Sequence, residues 1–143
     1  MRIECGFAAW FRIHGVIVLD SRNNLREVDR REIGYRRAKI DLHQSDLTAK
    51  IAGINAYIYV SKKDHNRWGS PDYPIWRTYL DCILAGYIDV WGQAGAERFM
   101  ASTQGWDVPL IDDRTVPKYP RHVILEKAVR QTIDRLLEKH GIL

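Results

Sequence analysis

Midway along the chain the spacing of apolar residues changes from two to about 3.6, and that change limits the fold more than any single motif. In residues 35–42, Ala38, Ile40 and Leu42 alternate with Arg37, Lys39 and Asp41. Successive side chains on a strand point to opposite faces, so a half-exposed strand is predicted there. Residues 51–60 repeat the pattern, with Ile54, Ala56, Ile58 and Val60 opposite Asn55, Tyr57 and Tyr59. Residues 13–19 are rich in β-branched side chains and follow Phe7, Trp10 and Phe11, which predicts a buried strand. Residues 21–31 open with turn formers and carry Leu25 and Val28 three apart, predicting a short helix or turn.

Beyond a loop over residues 61–73 the period lengthens. Pro74 suits the first turn of a helix. Ile75, Tyr79, Cys82, Ile83, Tyr87 and Val90 then share one helical face, with Gly92 as the stop. A second helix is predicted over about residues 94–102 and a last one over residues 122–140. The last places Leu125, Ala128, Val129, Ile133, Leu136 and Leu137 on one face and ends before Gly141. Residues 105–121 hold three of the five prolines and predict an ordered loop anchored by Trp106. Strands first and helices later is the order of an α+β fold rather than of a βαβ repeat. Neither an internal repeat nor a low-complexity linker divides the sequence, so one domain over residues 1–143 is expected.

Composition narrows the function classes. A 143-residue chain that is 45% hydrophobic and 28% charged has the balance of a globular protein able to bury a core, which excludes wholesale disorder. Cys5 and Cys82 form no framework of pairs and, with no export signal, read as reduced thiols of a cytoplasmic chain. The longest apolar run near the start, Val16-Ile17-Val18-Leu19, is too short for a signal peptide or a membrane span, so a soluble chain without a membrane partner is expected. The net charge of +4 raises the question of nucleic acid. Arg22, Arg26, Arg30, Arg31, Arg36 and Arg37 are interrupted by Glu27, Asp29 and Glu32, each of which would repel phosphates. This reads as a solvated, ion-paired face, and no nucleic-acid partner is expected.

Among chemistry-bearing residues, Glu32 stands just before the strand predicted at Tyr35. A carboxylate there is held on rigid backbone at the mouth of a sheet, where partial burial suits acid/base work. A Glu beside three arginines equally reads as a surface ion pair. His14, His43, His65, His122 and His140 show no ligand spacing. Asp112 and Asp113 read as holders of the Pro-rich loop, through Asx-type turns and pairing with Arg114 or Arg121, with a hard-cation site including Asp107 as the other reading. Cys82 reads as core, and Trp68, Trp76, Trp91 and Trp106 as core or lid.

Asp29-Arg30-Arg31-Glu32-Ile33-Gly34-Tyr35-Arg36-Arg37, preceded by Gly15-Val16-Ile17-Val18, resembles the central motif of the gamma-glutamylcyclotransferase-like family, a "GV" strand followed by "LDxRExxYxR". Ala56-Tyr57-Ile58-Tyr59-Val60 looks like that family's "AxxYV" strand. Tyr79-Leu80-Asp81-Cys82-Ile83-Leu84-Ala85-Gly86 looks like the helix after it. Thr103-Gln104-Gly105-Trp106-Asp107, Leu110-Ile111-Asp112-Asp113-Arg114 and Tyr119-Pro120-Arg121 are similar to the C-terminal extension of one bacterial branch. The likeness runs in order over residues 15–121, with a loop and helix extension over residues 103–143.

The resemblance implies a small mixed β-barrel with packed helices. It implies a reaction in which the α-amine of a γ-glutamyl group attacks its own γ-carbonyl, closing 5-oxoproline and releasing an amine or amino acid, with no metal or organic cofactor. Glu32 takes the place of the family's general acid/base and Tyr79 that of its substrate-contacting tyrosine, and Tyr35 and Tyr59 are expected to contact substrate as well. The family also opens with a strand bearing Tyr-Gly-Ser, whose backbone amides bind the γ-glutamyl group; no Tyr-Gly-Ser occurs in this sequence. An N-terminally truncated version of the fold is therefore expected. Its origin is open among a start placed too late, a gene remnant and a shortened non-enzymatic domain used for binding or self-association. An unpaired sheet edge must be covered or paired, so a homodimer through that edge is expected.

The charge reading has a direct check. Filter binding to generic DNA or RNA between about 50 and 200 mM salt is expected to give no tight association. Tight binding that weakens steeply with salt would overturn it.

Overall fold

Period-two patterning becomes pairing in the computed structural model, which describes residues 2–4, 10–12, 14–42, 54–65 and 69–143. Strands β1 (Arg2–Glu4) and β2 (Trp10–Arg12) pair antiparallel; the sequence pattern had not indicated them. Helix α1 (Arg22–Arg31) follows, then strands β3 (Tyr35–Ile40) and β4 (Ala56–Ser61), which form an antiparallel ribbon. Ala38 faces Ile58 and Ile40 faces Ala56, while Arg37 faces Tyr59 and Lys39 faces Tyr57. Directly opposed residues share a face. The register therefore gives one apolar and one tyrosine-and-cation face, as the alternation predicts. Residues 51–53 lie outside the described residues, as do Cys5, His43 and Trp68.

The strand expected over residues 13–19 is not formed. Ile13 lies outside the described residues; Val16, Ile17, Val18 and Leu19 are 66, 39, 77 and 72% exposed and belong to no described strand. A β-branched run becomes a strand only where a ladder receives its backbone groups.

Helix α1 starts where Ser21 caps it, its hydroxyl accepting from the Asn24 N–H at 3.1 Å. It ends where the Glu32 N–H donates to the Val28 carbonyl (2.9 Å) and the Tyr35 N–H to the Glu32 carbonyl (2.9 Å), a tight turn into β3. None of its residues is buried; Leu25, Val28, Asp29 and the capping Glu32 are half-buried, at the i, i+3, i+4, i+7 spacing of one helical stripe.

In the second half, Pro74 precedes a short strand instead of opening a helix. Strand β5 (Ile75–Trp76) pairs parallel with β6 (Leu110–Ile111), the Ile75 N–H donating to the Pro109 carbonyl at 2.9 Å. Helix α2 (Arg77–Ser102) then runs with a break at Gly92, whose φ of 65° and ψ of −175° are non-helical, at the stop the sequence indicates. Helix α3 (Lys127–Lys139) starts five residues later than predicted. Residues 122–126 form no helix, with Val123 and Ile124 exposed. Its end is a Schellman arrangement: Gly141 at φ 67° donates to the Glu138 carbonyl and Ile142 to the Leu137 carbonyl.

The core lies between α2 and α3: Leu80, Leu84, Ala96, Met100, Ile133, Leu136 and Leu137 are buried, with Phe99, Trp106, Val129 and Ile142 against them. Trp106 anchors its loop as expected, its indole N–H donating to the Met100 carbonyl at 3.0 Å. The buried face of α2 is rotated from the predicted one, because Tyr79 and Val90 are exposed while Thr78, Leu80, Asp81 and Leu84 turn inward. Among the described residues the three sheets are two-stranded and none closes a barrel, so the fold is a mixture of helices and small sheets. The chain forms two compact units, Met1–Arg67 and Trp68–Leu143. No described helix is long and apolar enough to cross a membrane.

Gly92 sits in a region of backbone space open only to glycine, with nothing within 4 Å of an added Cβ. Gly92→Ala is therefore expected to cost about 1–3 kcal/mol through backbone strain, measured by denaturant unfolding. A change below about 0.5 kcal/mol would show that α2 need not break there.

Candidate functional site

Glu32 is placed by the end of a helix and the start of a strand. Its side chain is 28% exposed. Arg31 Nε donates to Glu32 Oε1 at 3.0 Å, and Oε2 accepts no hydrogen bond from the described residues. A helix C-terminus opposes negative charge, since its last carbonyls point outward there, and the Arg31 guanidinium offsets that. The pair is a partly exposed one, so it is weak and exchangeable.

Beside Glu32 lies a built polar cluster. Tyr59 Oη donates to Asp29 Oδ1 at 2.7 Å, and Arg37 Nη1 lies 3.3 Å from Asp29 Oδ2. The Arg37 guanidinium also stands 4.8 Å from the centre of the Tyr57 ring. Desolvation, then the Asp29 hydrogen bond and charge, hold the Tyr59 hydroxyl above its ordinary pKa, with Arg37 opposing and the nearby Glu32 adding to the rise. Tyr59 is thus a neutral donor at physiological pH. Lys62 Nζ donates to the Ile33 carbonyl at 2.8 Å and the Lys62 N–H to the Gly34 carbonyl, tying the turn after Glu32 to the end of β4.

Of the expected site residues, Glu32, Tyr35 and Tyr59 fall in the first unit, and Tyr59 and Glu32 are close enough to interact electrostatically. Tyr35 is 46% exposed, on the same ribbon face as Arg37 and Tyr59. Tyr79 belongs to the second unit, on α2. It is 45% exposed, its ring edge-on to Tyr119 with centroids 5.0 Å apart.

The second unit carries a larger ionic network. Arg114 Nε and Nη2 grip both oxygens of Asp81 at 2.7 Å, and its Nη1 reaches Asp134 at 2.8 Å. Arg77 joins Asp134 at 2.6 Å and Asp112 at 3.4 Å. Buried Asp113 accepts from the Thr78 N–H (2.9 Å), the Thr78 hydroxyl (2.6 Å) and the Lys118 N–H (2.7 Å). The Arg114 N–H donates to Asp112 Oδ1 at 3.0 Å, the Asx-type turn expected of this loop, whereas the Arg114 guanidinium goes to Asp81 and Asp134. Among the described residues no group of three His, Cys, Asp or Glu is placed to hold a metal ion. A hollow of about 250 Å³ adjoins the network, lined by Thr78, Asp81, Arg114, His122, Leu125 and Arg130 among others.

Asp29, Asp81, Arg77 and Asp134 were not singled out in the sequence. Asp29 was findable, because it completes the Leu25, Val28, Glu32 stripe; Asp81 and Arg114 are 33 positions apart, and nothing local pairs them. Comparison with known proteins finds no matching family model, no matching curated protein and no matching solved structure.

The network dictates an acid limit. Burial alone would raise the Asp113 and Asp134 carboxyls, but hydrogen bonds from Thr78 and Lys118, and from Arg114 and Arg77, outweigh it and hold both below their ordinary range. A carboxyl depressed in the folded state contributes stability above its unfolded pKa of about 3.9, and loses it as pH falls through the folded value. Asp113→Asn, which leaves buried donors facing an amide, is expected to cost about 1–3 kcal/mol at pH 7. Denaturant titrations should show the gap from the unsubstituted chain narrowing below about pH 4. A gap independent of pH would show that the charge of Asp113 contributes nothing.

Proposed function

We propose that the chain is a gamma-glutamylcyclotransferase-like protein that cyclises a γ-glutamyl group to 5-oxoproline, with Glu32 as general acid/base. The observation that carries this reading is a half-buried carboxylate at the turn into β3, inside the quoted motif, with one oxygen held by Arg31 and the other accepting no hydrogen bond from the described residues.

The chemistry asks little else. Glu32 takes a proton from the substrate's α-ammonium; the freed amine nitrogen bonds to the γ-carbonyl carbon, closing a five-membered ring. As the tetrahedral carbon collapses, its oxyanion re-forms the carbonyl, the bond to the leaving nitrogen breaks and that nitrogen takes the proton back from Glu32; the ring nitrogen then gives up its second proton to Glu32, which passes it to the departing amine as its ammonium. Nucleophile and electrophile belong to one molecule, so holding it bent supplies much of the acceleration, and neither a metal nor an organic cofactor takes part. Tyr35 and Tyr59, on the ribbon face beside Glu32, contact the substrate in this reading. In this reading the β3–β4 ribbon contributes to a small mixed β-barrel that the described two-stranded sheets do not themselves close, and the protein works in the cytoplasm.

One feature favours a second reading, a non-catalytic, self-associating module of the same fold. Val16, Ile17, Val18 and Leu19 form a contiguous exposed apolar run next to α1, unusual on a monomer surface. Concentration-dependent dimerisation without turnover would favour it.

The test is 5-oxoproline release from a panel of γ-glutamyl amines and γ-glutamyl amino acids. Turnover is expected, with Glu32→Gln lowering kcat about 100-fold or more. Undiminished release by Glu32→Gln would defeat the mechanism.

A further inference from the structure

We infer that Asp29 is the positioning residue of the Glu32 site, a carboxylate that clamps the last turn of α1 onto the β3–β4 ribbon and so fixes where Glu32 points. The inference deepens the proposed function and rests on the role given there to Glu32.

Three observations converge on it. First, α1 buries none of its residues, so apolar packing does little to hold its end against the ribbon. Second, Asp29 bonds to both strands at once. Its Oδ1 receives the Tyr59 hydroxyl from β4 at 2.7 Å and its Oδ2 the Arg37 guanidinium from β3 at 3.3 Å. Arg37 and Tyr59 are direct cross-strand partners, so this single carboxylate caps one rung of the ladder. Third, Asp29 stands one helical turn before Glu32 on the same half-buried stripe. Only the closing bond from the Glu32 N–H to Val28 and the turn to Tyr35 lie between the clamp and the site. A clamp one turn away on the same stripe restricts the position and the direction of the capping side chain.

The clamp has a second effect. Arg37 is the cation beside Tyr59, whose hydroxyl also feels the charge of Glu32, and Asp29 is the anion that holds it. Without Asp29, the Arg37 guanidinium loses its ion-pair partner and the Tyr59 hydroxyl its acceptor, and Glu32, one turn along the stripe, is the carboxylate left there to replace it. An oxygen occupied by a guanidinium no longer receives the substrate's proton. Asp29 therefore places Glu32 and keeps it vacant.

The experiment compares Asp29→Ala, Asp29→Glu and Tyr59→Phe in the full chain by two readouts. Amide hydrogen exchange at Glu32 and Tyr35 is expected to speed up about tenfold in Asp29→Ala and less in Tyr59→Phe, while the β3–β4 ladder amides keep their protection. In 5-oxoproline release, kcat is expected to fall about 10- to 100-fold in Asp29→Ala with KM within about threefold, and Asp29→Glu to recover part of it. Exchange at Glu32 and Tyr35 that is unchanged in both Asp29→Ala and Tyr59→Phe would overturn the inference. If the ladder amides also lose protection in Asp29→Ala, that variant has unfolded, and Tyr59→Phe, which deletes one hydroxyl, decides alone. Should no variant, nor the unsubstituted chain, release 5-oxoproline, the activity falls while the exchange data still decide the clamp.

Discussion

Two guanidinium groups taken out of water govern the second unit. Arg114 comes from the loop after β6 and binds Asp81 on α2 and Asp134 on α3. Arg77 joins Asp134 to Asp112, so helix, helix and loop meet through four carboxylates when Asp113 is included. Removing such charges from water costs several kcal/mol per ion, and the cost is offset only while every partner is present. Burial alone would make the Arg114 guanidinium easier to deprotonate; its bonds to Asp81 and Asp134 outweigh that and hold it above its ordinary range. The Arg77 Nε is the one buried side-chain atom without a partner among those described, so even here satisfaction is incomplete. The apolar core between α2 and α3 supplies the driving force, and the ions supply its register.

The first unit solves the same problem with one carboxylate. Where Arg114 binds two aspartates, Asp29 binds one arginine and one tyrosine, at a partly exposed position worth less in energy. Such a bond restrains the end of α1 without burying it. The Arg31–Glu32 pair is of the same kind, partly exposed and readily exchanged with water.

Much of this was legible from spacing alone. The two alternating segments paired in the register that puts their apolar residues on one face, and Gly92 broke the helix where the change of residue type said it would. Trp106 and the Asx-type turn at Asp112 were also read correctly. What failed did so for identifiable reasons. Residues 16–19 had the composition of a strand, but pairing needs a partner ladder, and composition does not supply one. Pro74 was read as a helix start, yet the Pro109 carbonyl, 35 residues downstream, claims the Ile75 N–H for a strand. The inward face of α2 was misjudged because Asp81 counts as polar in any pattern and only Arg114, far along the chain, makes its burial tolerable. Glu32 is legible from its place before the strand; the contacts of Asp29 are not, because Arg37 and Tyr59 come from two strands, 8 and 30 positions away.

Burial is shared very unequally. Among the described residues of Met1–Arg67 only Ala56 is buried, whereas Trp68–Leu143 holds the seven-residue cluster and its ionic frame. Among the residues whose burial is described, selection for folding should therefore act mainly on those of the C-terminal half, where a lost methylene or an unmatched ion is felt at once. Over evolutionary time the described surface of the N-terminal half is free to drift, so any position there that resists replacement is kept for what it does rather than for how it packs.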